Sequence, residues 1–504
     1  LNIERKLVLI VVLGVTARIL LWNIVPVTGD AVYHYSVARY VAANWRIPSF
    51  EYVSGGDPFW YPPLFHVLGS FFYLLLGSEK ITPLFVGILS LFAYYMLLKR
   101  FYNSLLLPGM FFAAFLPVQM YYSAIGYVDS LFFLLAPLIL YSYLSYLEKN
   151  DMQFLGVSLL LSAASFLTHY HGFIPLLAIS IHLLFRNKKL AVGFLITGLL
   201  LSSPWYVRNY IVFGNPVWPL LFDGKYPASS GYKLPMVVNV LNPEKWIALF
   251  FEYWTGAPNS GEDYARNFEI AGNYIPYSGL FSILWLALAC ALSLGILYGL
   301  AKMLEDKNKS LFLLFIALSI IPLLLSNFVR MLAFVFPIVI LALSNAFSRV
   351  LKPEAADKCA NKFNAILLVI IFAGLVSAPF AYGFVYSKIV GKYTPFYRMA
   401  NEMLPKDAVV CNMFDDQFFN NVDRKMAPAG MIPEERVTFP CATDPSNQSV
   451  CFKKHKASYV CCTSLRTIVL GGELQKFCEK TMMEKKPDIE YNGGEGIWGR
   501  CWAI

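Results

Sequence analysis

The first 390 or so residues alternate long apolar runs with short polar breaks, and the remainder of the chain does not. A helix that crosses a hydrocarbon layer of ~30 Å needs about 17–25 predominantly apolar residues. Eleven runs are read as spans, at roughly 7–26, 81–98, 104–122, 130–147, 152–169, 172–185, 190–206, 278–301, 311–327, 331–348 and 364–386, the sixth being the shortest. A further apolar helix at 62–77 is expected to lie in the outer interface. The pattern predicts a polytopic α-helical membrane protein of about eleven transmembrane helices over 1–390, with interfacial helices in its first outer loop. From about 392 the pattern is that of a small α/β domain over 391–504. A helix in Phe396-Tyr397-Arg398-Met399-Ala400-Asn401-Glu402-Met403-Leu404 precedes strand-like runs at 408–411, 457–462 and 496–504.

Charge placement sets the expected orientation. With 62–77 outside the count of spans, fifteen Lys and Arg residues fall in the short loops of one side, among them Arg5-Lys6, Lys99-Arg100 and Arg186-Lys188-Lys189. The opposite side carries about nine, in much longer loops, before the tail. Basic residues accumulate on the cytoplasmic side, so the amino terminus is expected inside and the tail outside, in a plasma or ER-type membrane. Counting 62–77 as a span would invert most of these clusters. The first run has basic flanks, but no small-x-small cleavage pattern follows it, so a retained helix is expected rather than a cleaved signal. Two outer loops are long enough to carry function: 27–61 (27–80 with the interfacial helix) and 207–277.

Composition narrows the class further. Hydrophobic residues make up 57% of the 504 and charged residues 14%, and residues 388–504 alone hold 30 of the 73 charges. A soluble multidomain enzyme, a disordered chain and a β-barrel are excluded. The net charge of +9 follows membrane topology and forms no basic stripe, so no nucleic-acid partner is expected. Seven of the nine cysteines lie after residue 410, without paired CxxC spacing, which points to disulfides in an oxidising exterior and leaves their pairing open. Asn447-Gln448-Ser449 is a glycosylation sequon on that side.

The polar residues left at the outer face are the candidates for chemistry. Asp30 follows the first span in Thr28-Gly29-Asp30-Ala31-Val32-Tyr33-His34, where it also reads as a helix N-cap. Asp129, at the outer start of the fourth span, is the one acid between Glu79 and Glu148. Ionisable groups at membrane depth are costly and usually functional, and two carboxylates at one membrane mouth suit proton abstraction from an incoming hydroxyl. Arg208 at the end of the seventh span, Arg330 at the start of the tenth and Arg18 inside the first suggest an anionic phosphate at that depth, with snorkelling to headgroups as the plainer explanation. His34, His66, His169 and His171 read as polar lining; an H-x-H pair on a helix points its rings apart, so a metal site is not expected. Tyr33, Asn209 and Glu262 complete the expected substrate-binding set.

Three features together resemble the GT-C membrane glycosyltransferases: the outer Asp30 after span one, an aromatic loop ending in Tyr61-Pro62-Pro63-Leu64, and Asp129 in the next outer loop. Arg208-Asn209-Tyr210…Phe213-Gly214-Asn215-Pro216-Val217…Pro219 and Arg330…Phe336-Pro337 are similar to the branch holding dolichyl-phosphate-mannose protein mannosyltransferases and aminoarabinose transferases. The resemblance implies a polyprenyl (dolichyl)-phosphate sugar donor, a glycan, protein or lipid acceptor, Asp30 as general base and Asp129 as the second acid that shapes the acceptor site. Arg208 and Arg330 would flank the donor phosphate. No cofactor is implied. Many relatives carry Asp-Glu where this chain has Asp30-Ala31, so a further carboxylate would have to be Asp129 or a loop acid such as Glu262, Asp263 or Glu269. The oligosaccharyltransferase branch, with a metal held by Asp30 and Asp129, is the alternative within the class, although its Trp-Trp-Asp-Tyr-Gly motif is absent. A lipid or solute transporter would need charges through the midplane, which six of the spans lack, and a scaffold protein leaves both aspartates unexplained.

Overall fold

The computed structural model describes residues 3–27, 30–48, 59–218, 246, 249–250, 253–254, 280–326, 329–351, 358–412, 425–427, 458–464, 487–494 and 497–503. Glu262, Asp263, Glu269, the sequon at Asn447, Cys441, Cys451 and Cys478 lie outside them. The chain divides into two compact units. The first comprises residues 1–24, 61–65 and 80–383, and the second 25–60, 66–79 and 384–504.

Six helical segments among the described residues are long and apolar enough to cross a membrane: Ile3–Ile24, Ile81–Phe101, Val128–Lys149, Lys188–Phe213, Leu284–Met303 and Ile366–Phe384. The other runs expected to span fold as shorter apolar helices. In the first unit the elements run α1 (Ile3–Ile24), α4 (Ile81–Phe101), α5 (Leu106–Phe115), α6 (Pro117–Tyr122), α7 (Phe132–Lys149), α8 (Met152–Phe166), α9 (Phe173–Leu184) and α10 (Lys188–Phe213), followed by helices Leu280–Met303, Lys309–Ser326 and Phe336–Leu351. Local chemistry sets several boundaries. Asn150 ends α7 in the left-handed region at φ 53°, and the Asp151 side chain then caps α8 by accepting from the Gln153 amide at 2.9 Å. Asn187 caps α10 in the same way, and Gly214 closes it at φ 74°.

The run expected as one span at 104–122 is broken. Pro117 has no N–H for the Ala113 carbonyl, and Leu116 before it is extended at ψ 121°, as proline demands of its predecessor. The carbonyls of the last turn of α5 are therefore orphaned inside the helix pack. Arg18 of α1 supplies the missing donors. Its guanidinium gives hydrogen bonds to Ala114 O at 2.7 Å, Ala113 O at 3.0 Å, Gly14 O at 3.1 Å and Ser123 Oγ at 3.2 Å. Gly14 permits the approach, since a Cβ there would lie 2.9 Å from that of Ala114.

The second unit holds α2 (Asp30–Asn44), most of α3 (Leu64–Leu76) and a five-stranded sheet. At 13 residues α3 spans about 20 Å, too short to cross the bilayer alone. The strands are β1 (Val409–Asn412), β2 (Lys425–Ala427), β3 (Tyr459–Thr463), β4 (Ile489–Gly494) and β5 (Ile497–Ala503), in the order β2-β1-β3-β5-β4. β1 runs parallel to both neighbours, whereas β5 is antiparallel to β3 and β4. Helix Thr394–Met403 and its flanks present Tyr393, Phe396, Tyr397, Ala400 and Leu404, the i, i+3, i+4, i+7 stripe, to a core shared with Cys461, Ile489 and Cys501. Each fully buried side chain of this size contributes about 1.5–3 kcal/mol. Cys461 and Cys501 face each other across β3 and β5 and form a disulfide.

Candidate active site

Three short 3₁₀ turns build the polar centre of the first unit. Val128–Leu131 leads into α7, Tyr170–Gly172 leads into α9, and Val329–Leu332 precedes helix Phe336–Leu351. Each is tighter than an α-turn and aims one polar side chain at the others: Asp129, His171 and Arg330. Asp129 Oδ1 lies 3.4 Å from His171 Nε2, and Asp129 Oδ2 lies 3.7 Å from Arg330 Nε. All three residues are buried. A buried carboxylate is tolerated only beside compensating charge, and the Arg330 guanidinium supplies it. That guanidinium also lies 5.0 Å from the centre of the Tyr127 ring. Phe132 and Phe334 wall the cluster, their ring centres 4.7 Å apart, with His171 edge-on to Phe132 at 4.7 Å.

His171 and His169 meet directly, Nδ1 to Nδ1 at 2.7 Å. Rings two residues apart diverge on a helix, but His169 is extended (φ −158°, ψ 160°) and only residues 170–172 turn. The helical geometry expected for this pair is therefore corrected. Gly172 makes the turn possible, because a Cβ there would overlap the Ser165 carbonyl. Tyr61 lies beside His169, ring centres 5.4 Å apart, and the Leu64 amide donates to Leu167 O at 2.9 Å, tying the Tyr-Pro-Pro-Leu segment to the end of α8.

The Arg208-Asn209…Gly-Asn-Pro-Val-Trp segment is a packing device around Tyr170. Tyr170 donates to Trp218 O at 2.7 Å and accepts from Asn209 Nδ2 at 3.1 Å. Asn215 folds into a turn by accepting from the Val217 amide at 2.9 Å. Arg208 is half-buried, donates to Asn209 Oδ1 at 2.8 Å and lies over the Trp205 and Phe213 rings at 4.7 and 4.9 Å. Asn209 thus positions Tyr170 and Arg208. Arg18 is also corrected: expected beside a phosphate, it spends its donors on the α5 break.

The second unit gathers the remaining candidates. Asp30 is the first residue of α2, where a negative charge is favoured by the helix dipole, and is partly exposed. One turn on, His34 Nδ1 meets His66 Nε2 of α3 at 3.0 Å, and Phe59 packs against both His66 and Tyr33. Sequence reasoning missed one pair here. Arg39 donates through Nε and Nη2 to Oε1 of Glu79, at 2.9 and 2.6 Å, and only 3% of the Glu79 side chain is exposed. Glu79 stands next to Lys80, so in sequence it reads as a solvated charge; its partner is forty residues away. Among the described residues no three His, Cys, Asp or Glu side chains are arranged to hold a metal ion.

Comparison with solved structures places this architecture. ArnT, the aminoarabinose transferase from Cupriavidus metallidurans, in its crystal structure bound to undecaprenyl phosphate, superposes with a TM-score of 0.55 over 98% of this chain and 97% of its own, at 12% identity. The fold is that of the GT-C membrane glycosyltransferases. A second GT-C structure, the apo oligosaccharyltransferase from Archaeoglobus fulgidus, matches with a TM-score of 0.55 over 94% of this chain and 71% of its own, at 14% identity. The same enzyme in complex with zinc and sulfate gives 0.54 at 16% identity. At such identities the likeness concerns the GT-C fold and not the substrate. No family model and no curated protein sequence matches the chain.

Proposed function

We propose that the chain transfers a sugar from a polyprenyl (dolichyl)-phosphate donor to an acceptor hydroxyl at the extracytoplasmic face of the membrane, with inversion at the anomeric carbon. One observation carries this reading: the fold is shared end to end with an enzyme whose structure was solved with undecaprenyl phosphate bound. The lipid chain stays in the bilayer while its phosphosugar sits at headgroup depth. The acceptor oxygen attacks the anomeric carbon as the bond from that carbon to the phosphate oxygen breaks, and Asp30 takes the hydroxyl proton. The departing polyprenyl phosphate is an anion that Arg330 and Arg208 neutralise, so no divalent cation is required. Asp129 holds Arg330 in place and shapes the acceptor side. In this reading the amino terminus is cytoplasmic, and the acceptor is a glycan, a protein or a lipid.

Purified protein assayed with a panel of radiolabelled polyprenyl-phosphate sugars tests the reading. Asp30→Asn is expected to lower transfer by about 10²–10⁴-fold, the contribution of a positioned base, while donor binding persists. Full activity in that variant overturns the assignment of Asp30. The likeness to the Archaeoglobus oligosaccharyltransferase favours a second reading, a metal-dependent enzyme with the ion held by Asp30 and Asp129. The described residues offer no three-ligand group for such an ion, and no step is derived through it. Chelator in the same assay separates the two: undiminished transfer supports the metal-free route, and loss restored by added zinc or manganese supports the other.

A further inference from the structure

Trp45 occupies a backbone position that its side chain disfavours. Helix α2 ends at Asn44, and Trp45 follows in the left-handed region at φ 52°. Its amide closes the helix by donating to Val41 O at 2.8 Å. Glycine or asparagine usually fills this place, because a Cβ in left-handed backbone crowds the following carbonyl oxygen, and a bulky residue there is an outlier. Packing does not offset the strain, since the indole is 83% exposed. The residues on either side are tied down instead. Asn44 Nδ2 donates to Tyr40 O at 2.9 Å, and Arg46 Nε donates to the Tyr40 hydroxyl at 2.9 Å. Strain that internal contacts leave unexplained marks a functional position.

The same unit exposes a second apolar surface, which indicates the partner. Along α3, Val67, Phe71, Leu74 and Leu75 are 45–63% exposed and follow the i, i+4, i+7, i+8 spacing of one helix face. The contacts of His34 with His66 and of Arg39 with Glu79 hold α2 and α3 together. Five residues separate α1 from α2, and four separate α3 from α4. Both α1 and α4 are long and apolar enough to cross a membrane. At no more than ~3.6 Å per residue, neither linker lets the helix pair leave the surface at which α1 ends and α4 begins. An indole beside an exposed arginine suits a phospholipid interface, where the ring packs at the level of the glycerol groups and the cation reaches phosphate. We propose that Trp45 is an interfacial anchor, inserted with the exposed face of α3 into the phospholipid leaflet at that surface, with Arg46 at the phosphate level. The proposal does not depend on which group the enzyme transfers.

Full-length protein carrying 5-fluorotryptophan, in nanodiscs of phosphatidylcholine, tests the anchor. The ¹⁹F resonance lost in Trp45→Phe is that of Trp45, and an exposed aromatic exchange of this kind leaves the fold intact. Phosphatidylcholine spin-labelled near the carbonyl end of an acyl chain should broaden this line several-fold, because paramagnetic broadening falls with the sixth power of distance. A water-soluble gadolinium chelate should broaden it less than the labelled lipid does. A line broadened by the chelate and untouched by the labelled lipid places the indole in water and overturns the anchor; a shift of that line on adding a soluble oligosaccharide would then assign the ring to a sugar. A line that responds to neither probe belongs to an indole covered by protein, which overturns the anchor as well.

Discussion

Arg18 and Arg330 are both buried in the first unit, and their surroundings differ in kind. Arg18 gives four hydrogen bonds of 2.7–3.2 Å, three of them to backbone carbonyls, two of which belong to the turn that a proline has broken. Arg330 lies 3.7 Å from the Asp129 carboxylate and over the Tyr127 ring. The first arrangement closes a backbone defect and has little left to offer a ligand. The second is a charge contact on a 3₁₀ turn, where a modest shift of either side chain would bring a phosphate oxygen into range. A guanidinium at membrane depth is thus read by its surroundings: hydrogen bonds to fixed carbonyls mark scaffolding, whereas a charge contact of 3.7 Å with a carboxylate on a neighbouring turn suits the role proposed for Arg330.

Substitutions can break this contrast. The largest effect is expected for Arg18→Met. It should cost about 3–5 kcal/mol, because buried carbonyls lose their donors, and should appear as a marked drop in thermal unfolding temperature in detergent. The protein that remains folded should bind donor normally; unchanged stability with lost donor binding would reverse the roles of the two arginines. Arg330→Ala should act in the other direction, with donor affinity falling about ten- to hundredfold in a lipid-donor binding assay and a smaller change in unfolding temperature than Arg18→Met. An unaltered donor affinity would reassign Arg330 to stabilising Asp129 alone. The third effect is expected for Arg39→Ala in the second unit. The cation is 43% exposed but Glu79 only 3%, so the variant takes two hydrogen bonds from a buried carboxylate and should cost about 1–3 kcal/mol, measurable as a lower unfolding temperature with transfer retained.

The same arginines show what was legible in the sequence. Hydropathy located the helices, and sparse acids in apolar sequence drew attention to Asp129, because a charge there stands out against its neighbours. Hydropathy could not see that 104–122 is two helices: Leu, Pro and Val score as apolar whatever their backbone does, and only the proline rule at Leu116-Pro117 carries the break. Arg18 was misjudged for that reason, since its receptors are main-chain oxygens of a break that was not anticipated. The His169–His171 contact was hidden by the assumption of a helix across 168–172, where an extended residue followed by a 3₁₀ turn reverses which way the rings face. In the second unit, the strand-like runs at 408–411, 457–462 and 496–504 coincide with β1, β3 and β5, whereas the three-residue β2 and the hairpin strand β4 carry no comparable apolar signal.

The proline break also imposes an order on biosynthesis. Arg18 leaves the ribosome 96 residues before Ala114, whose carbonyl receives it. For that interval the first helix carries an unmatched positive charge, which is expensive in lipid. The helix is therefore expected to remain at the insertion machinery, or near the headgroups, until the stretch ending at Leu116 arrives, so that two segments far apart in translation enter the bilayer as partners.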